Sequence, residues 1–249
     1  MVVTGGTRGI GAGIARAFLG AGADVLVCGR TSTDELPAAD GRSAVFAQAD
    51  VRDAEQAQRL ISDTVGRFGR VDLVISNAGG SPPAAAATAS PRFHAKVIEL
   101  NLIAPLHVAQ AAYAVMRDQP GGGSIIMIGS VSGTRPSPGT AAYGAAKAGL
   151  HSLAASLAVE WAPKVRVNTV IPGPVVTGTS AAGAHFGDEA GETAVGGTIP
   201  MGRMATPDDV AAACLLLASP GAAYLTGAAL LVHGGGERPA FLAVTDPPV

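Results

Sequence analysis

Tyr143 and Lys147 stand four residues apart in a stretch of helical character, Ala141–Trp161, so their side chains share one face. A free phenol titrates near ~10, and a neighbouring ammonium favours its ionised form. A tyrosine beside a lysine can therefore give a proton to a carbonyl oxygen, or take one from an alcohol, near neutral pH. Bare Tyr-x-x-x-Lys pairs are also common on surface helices, so other residues must give this one its meaning. Ser130 lies thirteen positions before Tyr143, at the end of the apolar run Ser124–Gly129, where its hydroxyl can hold a substrate oxygen beside the phenol. Ser132 is the rival, further from the strand end. Asn101 interrupts an apolar helical run; a buried amide needs partners, and this one either links a water to the lysine or satisfies a helix kink.

A second group of residues opens the chain. Thr4-Gly5-Gly6-Thr7-Arg8-Gly9-Ile10-Gly11 follows an apolar run and begins a helix. Glycines there let the backbone turn tightly and bring N–H groups close to a pyrophosphate at the helix N-terminus, making Gly5, Thr7, Gly9 and Ile10 candidate cofactor contacts. The spacing is Gly-x-x-x-Gly-x-Gly, not the commoner Gly-x-Gly-x-x-Gly. A fold preferring NAD usually places a carboxylate about twenty residues on, for the ribose 2′-hydroxyl. Val27-Cys28-Gly29-Arg30 has none; Arg30 and Arg8 would instead suit a dianionic 2′-phosphate, which predicts NADP(H) with NAD(H) as the second choice. Asp50-Val51 could meet the adenine amine, or Asp50 could cap the next helix. The small residues of Asn77-Ala78-Gly79-Gly80 would allow close approach of the cofactor.

These residues need a scaffold, and the pattern predicts one. Strands are expected at Met1–Thr4, Asp24–Cys28, Ala44–Ala49, Val71–Ser76, Ser124–Gly129, Val165–Ile171 and Ala229–Val232. Helices are expected at Ile10–Gly20, Ala54–Phe68, Pro91–Met116, Ala141–Trp161 and Asp208–Ala218. Strict alternation predicts an α/β, doubly wound (Rossmann-type), seven-stranded parallel sheet with helices on both faces. One domain is expected over 1–236, with a substrate lid at about 177–200 and a tail over 237–249. The 249 residues, 48% of them apolar, suffice for a large core. A net charge of −2 offers no basic face to nucleic acid. No apolar run is long enough to span a membrane, and no leader is visible, which predicts a cytoplasmic protein with no membrane partner. Cys28 and Cys214 read as buried, reduced thiols, and no cluster has the spacing of a metal site.

Taken together, Thr4-Gly5-x-x-x-Gly9-Ile10-Gly11, Asn77-Ala78-Gly79, Ser130, Tyr143-x-x-x-Lys147 and Pro172-Gly173…Thr177 resemble the short-chain dehydrogenase/reductase family. Arg203-Met204-x-x-Pro207 and Gly227…Gly234-Gly235 continue the likeness to about Gly235. The resemblance implies a catalytic tetrad of Asn101, Ser130, Tyr143 and Lys147, with Lys147 also on the nicotinamide ribose and Asn101 positioning a water in a proton relay. It implies that Pro172, Gly173 and Thr177 border the nicotinamide, and that no metal is needed. It also implies a homotetramer or homodimer paired through the two long helices. Two departures are Ser76, where the family often has Asn, and His233, which replaces the usual acid before the last glycines.

The small-molecule substrate is expected to be a ketone/secondary-alcohol pair, either a 3-oxoacyl thioester or an apolar alicyclic or steroid-like alcohol. The lid residues Ala181 to Phe186 suit a greasy substrate, with His185 and Phe186 as candidate contacts, and Arg135 is the one basic residue near the pocket. His94, His107 and His151 read as surface or interface residues, and Trp161 as packing. The alternative is a non-catalytic NADP(H)-binding sensor or scaffold, which would be expected to lose Tyr, Lys or Ser.

Overall fold

A computed structural model of the chain describes residues 1–178 and 187–237. The apolar, β-branched runs pair as seven parallel strands: β1 (Val2–Thr4), β2 (Leu26–Gly29), β5 (Val45–Gln48), β6 (Leu73–Ser76), β7 (Gly123–Ile128), β8 (Val165–Pro172) and β9 (Ala229–Val232). Their order across the sheet is β5-β2-β1-β6-β7-β8-β9. The chain builds outward from β1 to β5, then returns to the other side of β1 with β6. That reversal opens a crevice at the carboxyl ends of β1 and β6, the usual ligand position in such sheets.

Alternate residues of each strand feed opposite layers. Ile125 and Met127 of β7 pack with α2 (Ala54–Phe68), α4 (Ala104–Met116) and α5 (Ala141–Trp161). Ile126 and Ile128 pack with α1 (Gly9–Gly20) and α7 (Pro207–Ala218) on the other face. Burial on both faces explains why β7 is apolar without interruption. Trp161 is packing: it is 8% exposed and stacks on Tyr113 with ring centroids 4.5 Å apart. Cys28 and Cys214 are buried free thiols.

Two expectations change. The single helix expected over Pro91–Met116 is broken into α3 (Pro91–Ile98), a wide π-helical turn (Glu99–Ile103) and α4, with Asn101 inside the break. A short hairpin, β3 (Ala38–Ala39) with β4 (Arg42–Ser43), was not anticipated. It turns at Asp40-Gly41, both at positive φ, the conformation that this dipeptide favours between strands. The segment 177–200 contains a helix, α6 (Glu189–Gly197), while residues 179–186, with His185 and Phe186, and 238–249 lie outside the described residues.

Asp50 does not cap α2. Asp53 does, accepting from the N–H groups of Glu55 at 2.9 Å and Gln56 at 3.2 Å. Asp53→Ala should therefore lower the urea midpoint of unfolding by removing the cap, and Asp50→Ala should leave α2 capped; equal losses from both would contradict this assignment.

Candidate active site

Strand β7 ends at Ile128, and Ser130 follows in extended backbone as the N-cap of a short 3₁₀ turn (Val131–Gly133). The Ser130 hydroxyl oxygen accepts the Ser132 N–H at 3.1 Å, so its own hydrogen is left to donate. Ser132 thus contributes its backbone to orient Ser130. Tyr143, in the first turn of α5, lies beside the Ser130 hydroxyl. Burial raises the phenol above its ordinary value, and the Ser130 hydroxyl offsets this only in part. That reverses the direction expected from a neighbouring ammonium. Lys147 places Nζ over the ring, 5.7 Å from its centroid, and donates to the Ile128 carbonyl at 2.7 Å.

Lys147 is 4% exposed, and burial pushes its ammonium down to about 8. Asn101 is fully buried nearby. Its amide accepts the Gly80 N–H at 2.8 Å and donates to the carbonyls of Gly80 and Val97, each at 2.9 Å. The bond to Val97 is the helix-kink role, and those to Gly80 fasten the kink to the end of β6. A Cβ on Gly79 would lie 2.7 Å from the Asn101 Oδ1 and 3.4 Å from the Lys147 Nζ, so only glycine fits between them. Structure thus brings Asn101, Ser130, Tyr143 and Lys147 to the carboxyl ends of β6 and β7.

The glycine turn sits at the adjacent strand ends. Thr4 accepts the N–H groups of Asn77 at 2.9 Å and Ala78 at 3.0 Å through its hydroxyl. Asn77 returns a bond from Nδ2 to the Thr4 carbonyl at 2.9 Å, so this amide braces the turn. A Cβ on Gly11 would fall 2.4 Å from the Gly5 carbonyl oxygen, which makes glycine obligatory for the tight entry into α1. No side chain caps α1 at Arg8, so its first-turn N–H groups face the crevice with an anion-binding geometry. Arg8 and Arg30 are exposed, and neither forms an ion pair among the described residues. Asp50 is taken up by Arg52, which holds its carboxyl below the usual range. Arg52 was missed in the sequence because its pairing depends on the turn between β5 and α2. Pro172 ends β8, and Gly173 donates to the Val232 carbonyl at 2.9 Å. Val51 is buried, and Thr177 lies just past the Val175–Ala205 bridge.

A family model described as enoyl-(acyl carrier protein) reductase matches residues 5–237. The chain belongs to the short-chain dehydrogenase/reductase family. It is an oxidoreductase of the NAD(P)-dependent kind, acting on CH–OH and carbonyl groups. An uncharacterized oxidoreductase of Mycobacterium tuberculosis is 38% identical over 94% of this chain and 90% of its own length. L-fucose dehydrogenase of Oryctolagus cuniculus is 38% identical over 95% of this chain and 84% of its own. The solved aldohexose dehydrogenase of Thermoplasma acidophilum is 26% identical, with a TM-score of 0.87 over 100% of this chain and 95% of that one.

His151 is half-buried. It lies one turn beyond Lys147, with its ring against Gly129 and Gly133, which bracket the Ser130 turn; burial and then the Lys147 charge push it below its ordinary value. His94 and His107 are partly buried, and each has an Nδ1 without a partner among the described residues. Among those residues, no group of His, Cys, Asp and Glu could hold a metal, and no helix is long and apolar enough to cross a membrane.

Buried Lys147 carries a stability signature. Below about pH 8 both folded and unfolded chains keep its proton, and the folded state bears the cost of burying the charge. Between about 8 and 10.5 the folded chain releases the proton while the unfolded chain retains it, so folding gains as pH rises. Lys147→Met should therefore be more stable than the parent at pH 7, by up to roughly 3 kcal/mol, and urea titrations should show this gap closing toward pH 10. A pH-independent gap would show that the lysine is not desolvated.

Proposed function

We propose that the protein transfers hydride between NADP(H) and a ketone/secondary-alcohol pair, with Tyr143 as proton donor in reduction and proton acceptor in oxidation. The observation carrying this reading is the convergence at the end of β7 of Ser130, oriented by the Ser132 N–H, with Tyr143 and the buried Lys147 ammonium one helical turn along. NADP(H), when bound, supplies or accepts the hydride. Ser130, already held by the Ser132 N–H, donates to the substrate oxygen and fixes it beside the phenol. Lys147 binds the nicotinamide ribose. Asn101 holds the end of β6 against that lysine and positions the water that returns protons to it.

The cofactor cradle fits the same reading. Gly5, Thr7, Gly9 and Ile10 would hold the pyrophosphate, and Arg8 and Arg30 the 2′-phosphate. Asp50 and Val51 would border the adenine. Asn77, Ala78, Gly79, Pro172, Gly173 and Thr177 would border the nicotinamide. Segment 177–200 would cover the substrate. Cytoplasmic location and a homotetramer or homodimer complete the proposal; Val159, 82% exposed on α5, supports pairing through that helix.

The apolar segment that favours a thioester or alicyclic substrate lies outside the described residues. A second reading, a hydroxyl-bearing ring, draws support from three polar side chains on the described crevice, Arg135, His233 and Glu237. Likeness to L-fucose dehydrogenase and aldohexose dehydrogenase supports it too.

Tyr143→Phe should lower kcat by roughly 10²–10⁴-fold and leave the NADPH Kd nearly unchanged, measured by cofactor absorbance and fluorescence. Retained turnover would sink the mechanism; NADPH binding with no turnover of any alcohol or ketone would favour the sensor. Arg30→Ala and Arg8→Ala should each raise KM for NADPH by about 10–100-fold, the worth of a charge-assisted bond, and change KM for NADH little. A parent enzyme preferring NADH by about tenfold would overturn the coenzyme assignment.

A further inference from the structure

Beside the Ser130 turn lies a cavity of about 240 Å³. Its walls come from three strand ends: Val131, Thr134 and Arg135 after β7, Gly173 and Pro174 after β8, and His233, Gly236 and Glu237 after β9. Gly234, Gly235 and Gly236 all take positive φ (64°, 98° and 86°), and this run turns the chain back so that Glu237 reaches Arg135. The resulting ion pair joins the catalytic turn to the far side of the crevice across 102 residues of sequence.

We propose that Arg135, His233 and Glu237 read the hydroxyls of the substrate, which is a compact polyhydroxylated ring and not an acyl thioester or a hydrocarbon-rich alcohol. This rests on the reading above that the crevice carries Tyr143-dependent hydride transfer.

The pair is a poor structural clamp. Its side chains are 38% and 45% exposed, and ion pairs so accessible to water add little to stability. What it offers the cavity is unspent hydrogen-bonding capacity. Arg135 gives Nη2 to the Glu237 Oε1 and Nη1 to the Pro136 carbonyl. Among the described residues nothing occupies the Glu237 Oε2 or the His233 ring. Thr134 donates its hydroxyl hydrogen to the Val131 carbonyl and keeps an accepting oxygen.

An apolar substrate filling this space would strip water from an ion pair and an imidazole and return no hydrogen bonds, which is costly. Adjacent ring hydroxyls can donate to the carboxylate and accept from the guanidinium, replacing the lost water. At about 240 Å³ the cavity is smaller than the roughly 300–1,000 Å³ of common ligand pockets, which fits a single ring better than a long chain.

The test measures kcat/KM with NADP⁺ for L-fucose, L-rhamnose, D-glucose and cyclohexanol, and with NADPH for acetoacetyl-CoA. At least one sugar should exceed cyclohexanol and acetoacetyl-CoA by about 100-fold, since sites built around a hydroxyl strongly reject analogues lacking it. In Glu237→Gln and Arg135→Met the sugar-to-cyclohexanol ratio should fall by about tenfold or more, and Arg135→Lys should recover part of it. Calorimetry with the NADP⁺-bound protein should show that sugar binds and that Glu237→Gln weakens it. Cyclohexanol or the thioester turned over as well as every sugar, or a ratio that the variants leave unchanged, would overturn this inference and leave Tyr143-dependent chemistry standing. Sugar binding with no turnover of any substrate would instead sink the catalytic reading and leave the wall intact; absence of both would sink both.

Discussion

Holding a lysine ammonium at 4% exposure with a single carbonyl partner is the constraint around which the rest of the site is arranged. Burying a charge is costly unless its surroundings satisfy it, and Lys147 answers part of that cost with the last carbonyl of β7 and part with a pKa lowered to about 8. Each neighbour must then fit closely. Gly79 has no room for a Cβ beside Asn101 and Lys147, and Gly129 and Gly133 leave space for His151 and the α5 backbone. The π turn at Glu99–Ile103 places the Asn101 amide where both of its ends bond to Gly80. A regular helix would turn that residue elsewhere and leave the end of β6 untied.

The two halves of the crevice solve different problems with different groups. On the cofactor side the work falls to backbone: Thr4 and Asn77 lock the glycine turn to β6, and the uncapped N-terminus of α1 supplies donors. On the catalytic side it falls to side chains whose ionisation matters, carried on α5 and at the end of β7. The strand order joins the halves, because the reversal at β1 and β6 brings residues 4 and 77 together and sets β7 beside them.

Periodicity made much of this legible. Seven strands, the α2 and α5 boundaries, and the shared face of Tyr143 and Lys147 follow from spacing along one element. Ser130 follows from its place at a strand end. What spacing does not encode is depth. The phenol of Tyr143 stands above its ordinary value, not below it, because burial outweighs what the Ser130 hydroxyl returns, and burial is a property of the packed molecule. Contacts between distant segments were equally hidden: Asn101 with Gly80, Thr4 with Asn77, and Arg135 with Glu237. The hairpin at Asp40-Gly41 was a different failure, since the turn dipeptide was present and its flanking strands are only two residues each, too short for alternation to register.

Why the substrate was the least legible part follows from the same physics. Chemistry here depends on groups fixed in regular structure and shielded from water, so residue type and register constrain them tightly. Substrate recognition depends on turns after β7, β8 and β9 that meet only once the sheet is assembled, and on groups still half in water. Arg135 looks like a lone basic residue in the chain and Glu237 like the start of a tail. Only the run of glycines that turns the backbone after His233 makes them partners. Exposure also makes such groups cheap to exchange: changing them disturbs neither the sheet nor the buried lysine, so one catalytic frame can be fitted to many substrates by altering the turns that face it.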